Sequence, residues 1–470
     1  MSGTAGRKVR LVDVLRDREV AGLVCAQVLS DWGDQVGRVA LAVLLLRAHD
    51  SALLAALVFA VAFVADVVGS ALLGPLADRL PRRAVMVGCD LLRAFVLSLL
   101  ALVALAETSA PALLVLLLVA ELFTGPFEAA RRALLGDVLP DPGRFYVVSG
   151  LVRTLWQADQ VVGLLLGGAV VALTGPETAL FLDAASFVLS ALLALVLVRR
   201  RPAALQARTS GLRSYVAEMT EGVRLVRADV RRRSVLLVGW GSTVFLLAPE
   251  GAALAFAKAH GAGSQGGALL MAAVPFGAAI GAALVSRRSP EEQLALVLPL
   301  ATAGAGLLLP MAVDPPVPLA AVLWALSGAC QGYMVTLIAT LMMVTPAAAR
   351  GRVGGLASAG FAAASAGSFV LAGWVADRAT PAFAVTLSGV LGLAVLAWVG
   401  RSWPEASLRR AVLAATAPGA GEPDSDEVPA AGATGLTVME DDPGPGAVDS
   451  APLTVTLPEP RPPVTSREPA

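Results

Sequence analysis

Twelve apolar stretches, each near the length of a lipid-spanning helix, constrain this chain more than any other feature. A hydrocarbon layer ~30 Å thick is crossed by about 20 residues of α-helix. No water satisfies the backbone there, so a spanning segment must close its own hydrogen bonds as helix. The stretches fall near 20–46, 52–73, 84–106, 111–130, 146–173, 177–198, 234–258, 265–286, 293–313, 317–343, 353–375 and 381–400. Charged residues make up 15% of the chain, where a soluble domain carries about 25%, so most of it has no aqueous surface to cover. The expected fold class is all-α membrane, with twelve transmembrane helices.

Basic residues sort onto one side. With the N-terminus inside, Arg79, Arg82 and Arg83 lie between spans 2 and 3, and Arg131, Arg132 and Arg144 between spans 4 and 5. Arg287 and Arg288 follow span 8, and Arg350 and Arg352 follow span 10. The other side carries Arg47, Lys258 and Arg378, at span ends. This is the positive-inside pattern, and it puts both termini in the cytoplasm. Residues 1–19 read as a polar cytoplasmic segment, because the apolar core of a signal peptide would start sooner. An N-terminal six-helix bundle is expected over 20–198 and a C-terminal one over 234–403. Between them, in 199–233, Val216, Met219, Val223 and Val226 recur at helical spacing with charges opposite. This predicts an amphipathic helix on the cytoplasmic face, with a solvated linker as the alternative. After Trp403 the composition turns to Pro, Gly, Ala, Asp and Glu, and 404–470 is expected to be a disordered acidic cytoplasmic tail.

Several function classes drop out. The cysteines Cys25, Cys89 and Cys330 have no second Cys at ligand spacing, and His49 and His260 cannot make a His-rich site. No metal and no cofactor is expected. There is no Gly-x-x-x-x-Gly-Lys-Ser/Thr loop for ATP, and no His pair or Ser/His set within the spans, so an enzyme is not expected. The basic residues form short clusters between spans, which is no surface for nucleic acid.

The most informative string is Gly74-Pro75-Leu76-Ala77-Asp78-Arg79-Leu80-Pro81-Arg82-Arg83, followed by Asp90-Leu91-Leu92-Arg93-Ala94. Topology alone explains Arg82 and Arg83 but not the rest. The string resembles the loop signature of the major facilitator superfamily, Gly-x-Leu-Ala-Asp-Arg-x-Gly-Arg-Arg, with Pro81 in place of the second Gly. Three further segments are similar to one branch of it, which includes the enterobactin exporter and the macrolide-efflux proteins. These are Gln27-x-x-Ser30-Asp31-Trp32-Gly33-Asp34, Ala129-x-Arg131-x-Ala133-Leu134-Leu135-x-Asp137, and Gly175-Pro176 with Leu180-Phe181-x-Asp183-Ala184-x-Ser186-Phe187. The fifth span departs from many drug antiporters, with Leu164-Leu165-Leu166 where they carry Gly-Pro. The resemblance implies the two-bundle major facilitator fold and a conformational latch formed by Gly74, Asp78, Arg79, Arg82, Arg83, Asp90 and Arg93. Gly373-Trp374-Val375-Ala376-Asp377-Arg378 mimics the latch but falls on the outer side, and is read as a look-alike.

An ionisable residue near the bilayer centre costs roughly 2.5–3.5 kcal/mol on insertion scales and marks function by default. On span 1, Gln27, Asp31, Asp34 and Arg38 share one helical face, and Asp34 can pair with Arg38 at i, i+4. A buried structural ion pair is the competing reading of those two. Glu121 on span 4 has no evident partner on its own helix, and span 5 offers Arg153, Trp156 and Asp159. The resemblance places spans 1, 4, 7 and 10 around a central cavity. It thereby puts Asp34, Glu121, Glu250 and Gln331 on the pathway, and the candidates for substrate contact are Gln27, Asp31, Trp156, Trp240, Glu250 and Gln331. Asp34, Glu121 and Asp159 are candidates for carrying a coupling proton, with Arg153 or Arg38 as charge partner. The aromatics Trp32, Phe123, Phe127, Trp156, Trp240, Phe245 and Trp324 suggest an apolar cavity wall, though half of them or more can face lipid or other helices.

The expected function is export of a small amphipathic molecule, a drug-like metabolite or siderophore, by proton antiport and alternating access. Import or lipid flipping on the same fold is the alternative, as is a non-transporting sensor or scaffold. Expected partners are the small-molecule substrate, the proton and the lipid bilayer, with the chain as a monomer. Arginine far outnumbers lysine and Ala and Val fill the spans, which suggests a high-GC genome and a bacterial inner membrane.

Overall fold

The computed structural model describes residues 16–74, 76–106, 109–139, 141–201 and 212–416, all within one compact unit, Met1–Gly419. Every regular element among them is helical. The N-terminal half contains α1 (Arg18–His49), α2 (Ala52–Leu73), the single turn α3 (Leu76–Arg79) and α4 (Arg82–Ala106). It continues through α5 (Ala110–Glu121), α6 (Thr124–Val138), α7 (Pro142–Thr174) and α8 (Pro176–Leu197). A connecting helix, α9 (Leu212–Ala228), leads to α10 (Val230–Leu246), α11 (Ala248–Ala259), α12 (Gly263–Val285), α13 (Pro290–Ala295) and α14 (Val297–Gly306). A 3-10 turn at Leu309–Val313 precedes α15 (Val317–Cys330), α16 (Tyr333–Met343), α17 (Arg350–Arg378), α18 (Pro381–Gly400) and α19 (Glu405–Thr416).

Ten helical segments among the described residues are long and apolar enough to cross a membrane. The other two expected spans differ from these for separate reasons. α1 has the length, but Asp31, Asp34 and Arg38 interrupt it. In 293–313 the continuous apolar part is Val297–Val313. Local chemistry sets the ends of the elements. Ser51 caps α2 by accepting the Leu54 N–H at 3.2 Å, and Ser289 with Glu292 forms a reciprocal capping box on α13. Gly175, at φ +85°, turns α7 into α8 immediately before Pro176. Spans 4, 7 and 10 are each broken midway, after Glu121, at Leu247 and at Gln331–Gly332. Pro249, which has no N–H to donate, opens the second piece of span 7.

The two halves touch at one end. Phe59 on α2 stacks on Phe369 of α17 with ring centres 5.4 Å apart, and Phe63 packs on the same ring at 5.9 Å. Lys258 donates to the Leu46 carbonyl at 3.2 Å and to Asp50 at 2.7 Å, and Ser264 donates to the Gly168 carbonyl at 3.5 Å. These hydrogen bonds, ion pair and ring contacts between the halves lie toward one end. It is the end opposite the arginine-bearing loops.

The connecting helix sits on the C-terminal half. Glu221 of α9 ion-pairs with Arg352, and Gly222 faces the Arg352 carbonyl. Val226 is buried, while Val216 and Val223 are exposed. The beginning of the expected disordered tail is instead the helix α19. Leu408 and Val412, four residues apart, are buried, and Arg409 ion-pairs with Glu291. One apolar stripe with a charged anchor suffices to order a short amphipathic helix in a polar, Ala-rich stretch. The remainder of the expected tail, 417–470, and most of the expected N-terminal segment, 1–15, lie outside the described residues.

Candidate functional site

α1, α4, α5 and α8 converge on a group of charges inside the N-terminal half. Arg38 of α1 grips Glu121 of α5 with both arms of its fork, Nε to Oε1 at 2.8 Å and Nη2 to Oε2 at 2.9 Å. The break after Glu121 lets the Thr124 hydroxyl donate back to Oε2 at 3.3 Å. Arg93 of α4 ion-pairs with Asp34 of α1 and donates to the Ser30 hydroxyl at 3.4 Å. Its guanidinium lies 4.0 Å from the ring centre of Phe187 on α8, a cation–π contact. Asp183 of α8 completes the group and is 2% exposed. Asp34, Gly37, Arg38, Arg93, Glu121 and Asp183 line a cavity of about 10 Å³, room for roughly one water, which leucines close off.

The pairing differs from the one expected along the sequence. Asp34 and Arg38, four residues apart on α1, do not pair with each other, and Glu121, without a partner on its own helix, is met by Arg38 from α1. A flat guanidinium is best satisfied by a carboxylate that meets both arms, and Glu121 on a facing helix does so. Arg93, expected in the latch, takes Asp34 instead. Arg153, expected as a charge partner, is exposed on α7 and joins neither pair.

The other candidates surround this network at varying distance. Asp159 of α7 is buried and accepts the Gln35 amide at 3.4 Å. Asp31 lies among Glu128, Asp159, Asp34 and Arg131, and Arg131 is already engaged by Glu128 at 2.6 and 3.2 Å. Gln27 is buried with its Oε1 unpartnered. Trp156 is 52% exposed on α7. In the C-terminal half, Glu250 stands near the start of α11 and, among the described residues, forms no ion pair. Gln331 sits at the break in span 10, and its Nε2 lacks a partner. Trp240 packs against Gly360 of α17 and donates to the Ala357 carbonyl at 3.1 Å, so it braces two helices. Phe127, Phe245 and Trp324, expected among the cavity aromatics, are buried in the apolar core. Among the described residues no group of three or more His, Cys, Asp or Glu is placed to hold a metal ion.

Gly74, Arg82, Arg83, Asp90 and Arg93, five of the expected latch residues, bond within the N-terminal half. The Gly74 N–H continues α2 by donating to Ser70 at 3.1 Å. Arg82 reaches Asp137 and the Ala133 carbonyl, and Arg83 the Leu195 carbonyl. Asp90 accepts the Ser190 hydroxyl at 2.7 Å. Arg79 is exposed, and the side chain of Asp78 lies outside the described residues. The look-alike string behaves otherwise. Asp377 crosses to the N-terminal half, where the Ser51 hydroxyl donates to it at 2.6 Å and the Ala52 and Leu53 amides donate at the start of α2.

Asp183 and Ser190, which sequence reasoning did not single out, hold two of these positions. The signal was present, because Asp183 is a carboxylate in the middle of an apolar span.

The sequence matches the family profile "Major Facilitator Superfamily" over residues 23–366. An uncharacterized MFS-type transporter of Bacillus subtilis (strain 168), YkuC, is 28% identical over 186 residues, 39% of this chain and 42% of that protein. The chain thus matches less than half the length of this relative. Among solved structures, a POT family transporter in complex with 5-aminolevulinic acid superposes with a TM-score of 0.62 at 12% identity, covering 83% of this chain and 96% of that one. A D-xylose–proton symporter superposes with a TM-score of 0.58 at 16% identity, covering 85% and 99%. At such identities the likeness is one of fold. The profile match spans most of both helical halves, and the chain therefore belongs to the Major Facilitator Superfamily of membrane transporters.

Proposed function

We propose that this chain exports a small amphipathic molecule in exchange for protons, as a monomer in a bacterial inner membrane with both termini in the cytoplasm. It acts as a transporter and not as an enzyme. The observation that carries the reading is the buried network of Arg38 with Glu121 and Arg93 with Asp34. Buried ions are costly, and a transporter retains them where a change of proton occupancy must alter helix packing. The arginine-bearing loops support a cytoplasmic position for that end, and the contacts at the opposite end support an inward-facing state. Alternating access then follows from rocking of the two halves. The exposed Trp156 beside buried Asp159 offers an apolar face next to a polar group, which suits an amphipathic substrate. Resemblance to the enterobactin-exporter and macrolide-efflux branch supports the outward direction.

The test is a panel of dyes, drugs and siderophores on a deletion and overexpression pair, with and without a protonophore. Overexpression should lower cell accumulation of at least one amphipathic compound, and the protonophore should abolish that difference. Glu121→Gln should abolish proton-driven efflux in inverted vesicles while the protein still inserts. Accumulation instead of depletion would assign import, and efflux insensitive to the protonophore and unchanged in the Glu121 variant would remove proton coupling through this network.

A further inference from the structure

Two guanidiniums face three carboxylates in the N-terminal cavity. Arg38 is held by Glu121 and Arg93 by Asp34, so both cations are engaged. Asp183 is the carboxyl left over. Its Oδ1 is buried without a hydrogen-bond partner, and among the described residues no donor reaches its side chain. The nearest hydroxyl, that of Ser186, donates to the Asp183 backbone carbonyl at 2.7 Å and not to the carboxyl.

The position is nonetheless shaped for it. α1 passes Asp183 with two glycines one turn apart, Gly33 and Gly37. A Cβ on Gly37 would stand 1.9 Å from Asp183 Oδ2, and one on Gly33 would stand 2.8 Å from Oδ1 and 2.0 Å from the Ser186 hydroxyl. A Cβ at Gly37 would force the carboxyl to shift, and one at Gly33 would force the Ser186 hydroxyl and the carboxyl to shift. The charged groups around it are Asp34 and Arg38 on α1, Arg93 on α4 and Glu121 on α5. Asp90 lies further along α4, turned to Ser190. An ionised carboxylate in this place accepts no hydrogen bond, since the one unpartnered donor nearby, the Arg93 Nε, does not reach it and both guanidiniums already hold a carboxylate, and burying it so is strongly unfavourable. The neutral acid carries a donor of its own and leaves both arginine pairs undisturbed.

We propose that Asp183 is a proton-binding site. Its carboxyl takes a proton from water that reaches the cavity, and the same O–H bond breaks to return the proton to water. Bound, the proton lets Arg93 stay with Asp34 and Arg38 with Glu121, and α1 lies close on α8. Released, it leaves a third anion competing for the same two guanidiniums, which loosens the packing of α1, α4 and α8. As the step that admits the proton, this deepens the exchange reading given above and rests on it; as a binding site, it stands independently of any substrate.

The test needs no substrate. Purified full-length protein in lipid nanodiscs is examined by infrared difference spectroscopy across a pH jump, alongside Asp183→Asn and Asp90→Asn. The wild type should show a carbonyl band of a protonated carboxylic acid that fades as pH rises. The band should be lost in Asp183→Asn and kept in Asp90→Asn. A band unchanged in Asp183→Asn, or no titrating acid band in the wild type, overturns the proposal. Should Asp183→Asn fail to fold, the wild type is treated with dicyclohexylcarbodiimide, which modifies protonated carboxyls, and mapped by mass spectrometry. Modification at Asp183 that declines with rising pH supports the site, and no modification there overturns it. Proton-driven efflux with an unaltered band in Asp183→Asn would sink this inference alone. A titrating Asp183 in a chain that moves nothing would sink the exchange reading alone.

Discussion

The string Gly-x-x-Ala-Asp-Arg occurs twice, at 74–79 where α2 ends and at 373–378 where α17 ends. α2 and α17 lie against each other across the two halves and run in opposite directions, so the copy at 373–378 stands beside the start of α2. The copies differ in what they touch. Asp377 accepts the hydroxyl of Ser51 and the first amides of α2, groups that the helix itself cannot satisfy. Gly373 lets the backbones close, because a Cβ there would stand 2.7 Å from Leu53 Cα and 2.9 Å from the Ala52 carbonyl. Around 74–83 the described bonds stay within the N-terminal half. Of the two similar strings, the one at 373–378 is engaged across the halves, whereas the bonds described around the other remain within its own half. A carboxylate at a helix end becomes a clasp only when a second helix begins beside it, and the tilt of the halves decides which end that is.

Four substitutions grade this comparison, each read as the distance distribution between spin labels across the closed end. Gly373→Leu should have the largest effect. Overpacking against backbone costs about 3 kcal/mol, so the closed population should fall more than ~100-fold. Asp377→Ala should follow, since a lost helix cap costs about 1 kcal/mol, a roughly fivefold shift toward opening. Lys258→Met should open the same end less, because its partner Asp50 is fully exposed. The hydrogen bond from Lys258 holds the Asp50 carboxyl below its ordinary value of 3.8. That contribution is present above the ordinary value and is lost as pH falls through the depressed one, so wild type and Lys258→Met should converge only in strongly acid solution. Asp78→Asn should leave this end within ~0.5 kcal/mol of wild type. An opening by Asp78→Asn as large as that by Asp377→Ala would end the distinction between the two copies.

The charged site was partly legible. Asp34, Arg38 and Glu121 stood out as ions in apolar spans and Arg93 as part of the expected latch, and the structure gathers all four. Their partners were not legible. Spacing along one helix suggested Asp34 with Arg38, but partner choice belongs to the facing helices, and spacing says nothing of those. Asp183 stayed hidden inside a segment quoted for its resemblance, because its meaning depends on Gly33 and Gly37 lying opposite. α19 was missed because composition averages over a window, whereas Leu408 and Val412 order it through one narrow stripe.

The sequence by itself determined that this chain is helical, which stretches are apolar enough to enter lipid, and on which side the arginines gather. Those properties are local: a bilayer forces each apolar stretch to satisfy its own backbone, whatever the rest of the chain does. Only the tertiary structure decided which carboxylate meets which guanidinium, which carboxyl is left over, and that the string at 373–378 joins the halves. Those outcomes depend on how separate helices face one another, and hydrogen bonds between them form or fail over distances of about 3 Å that no spacing along a single helix fixes.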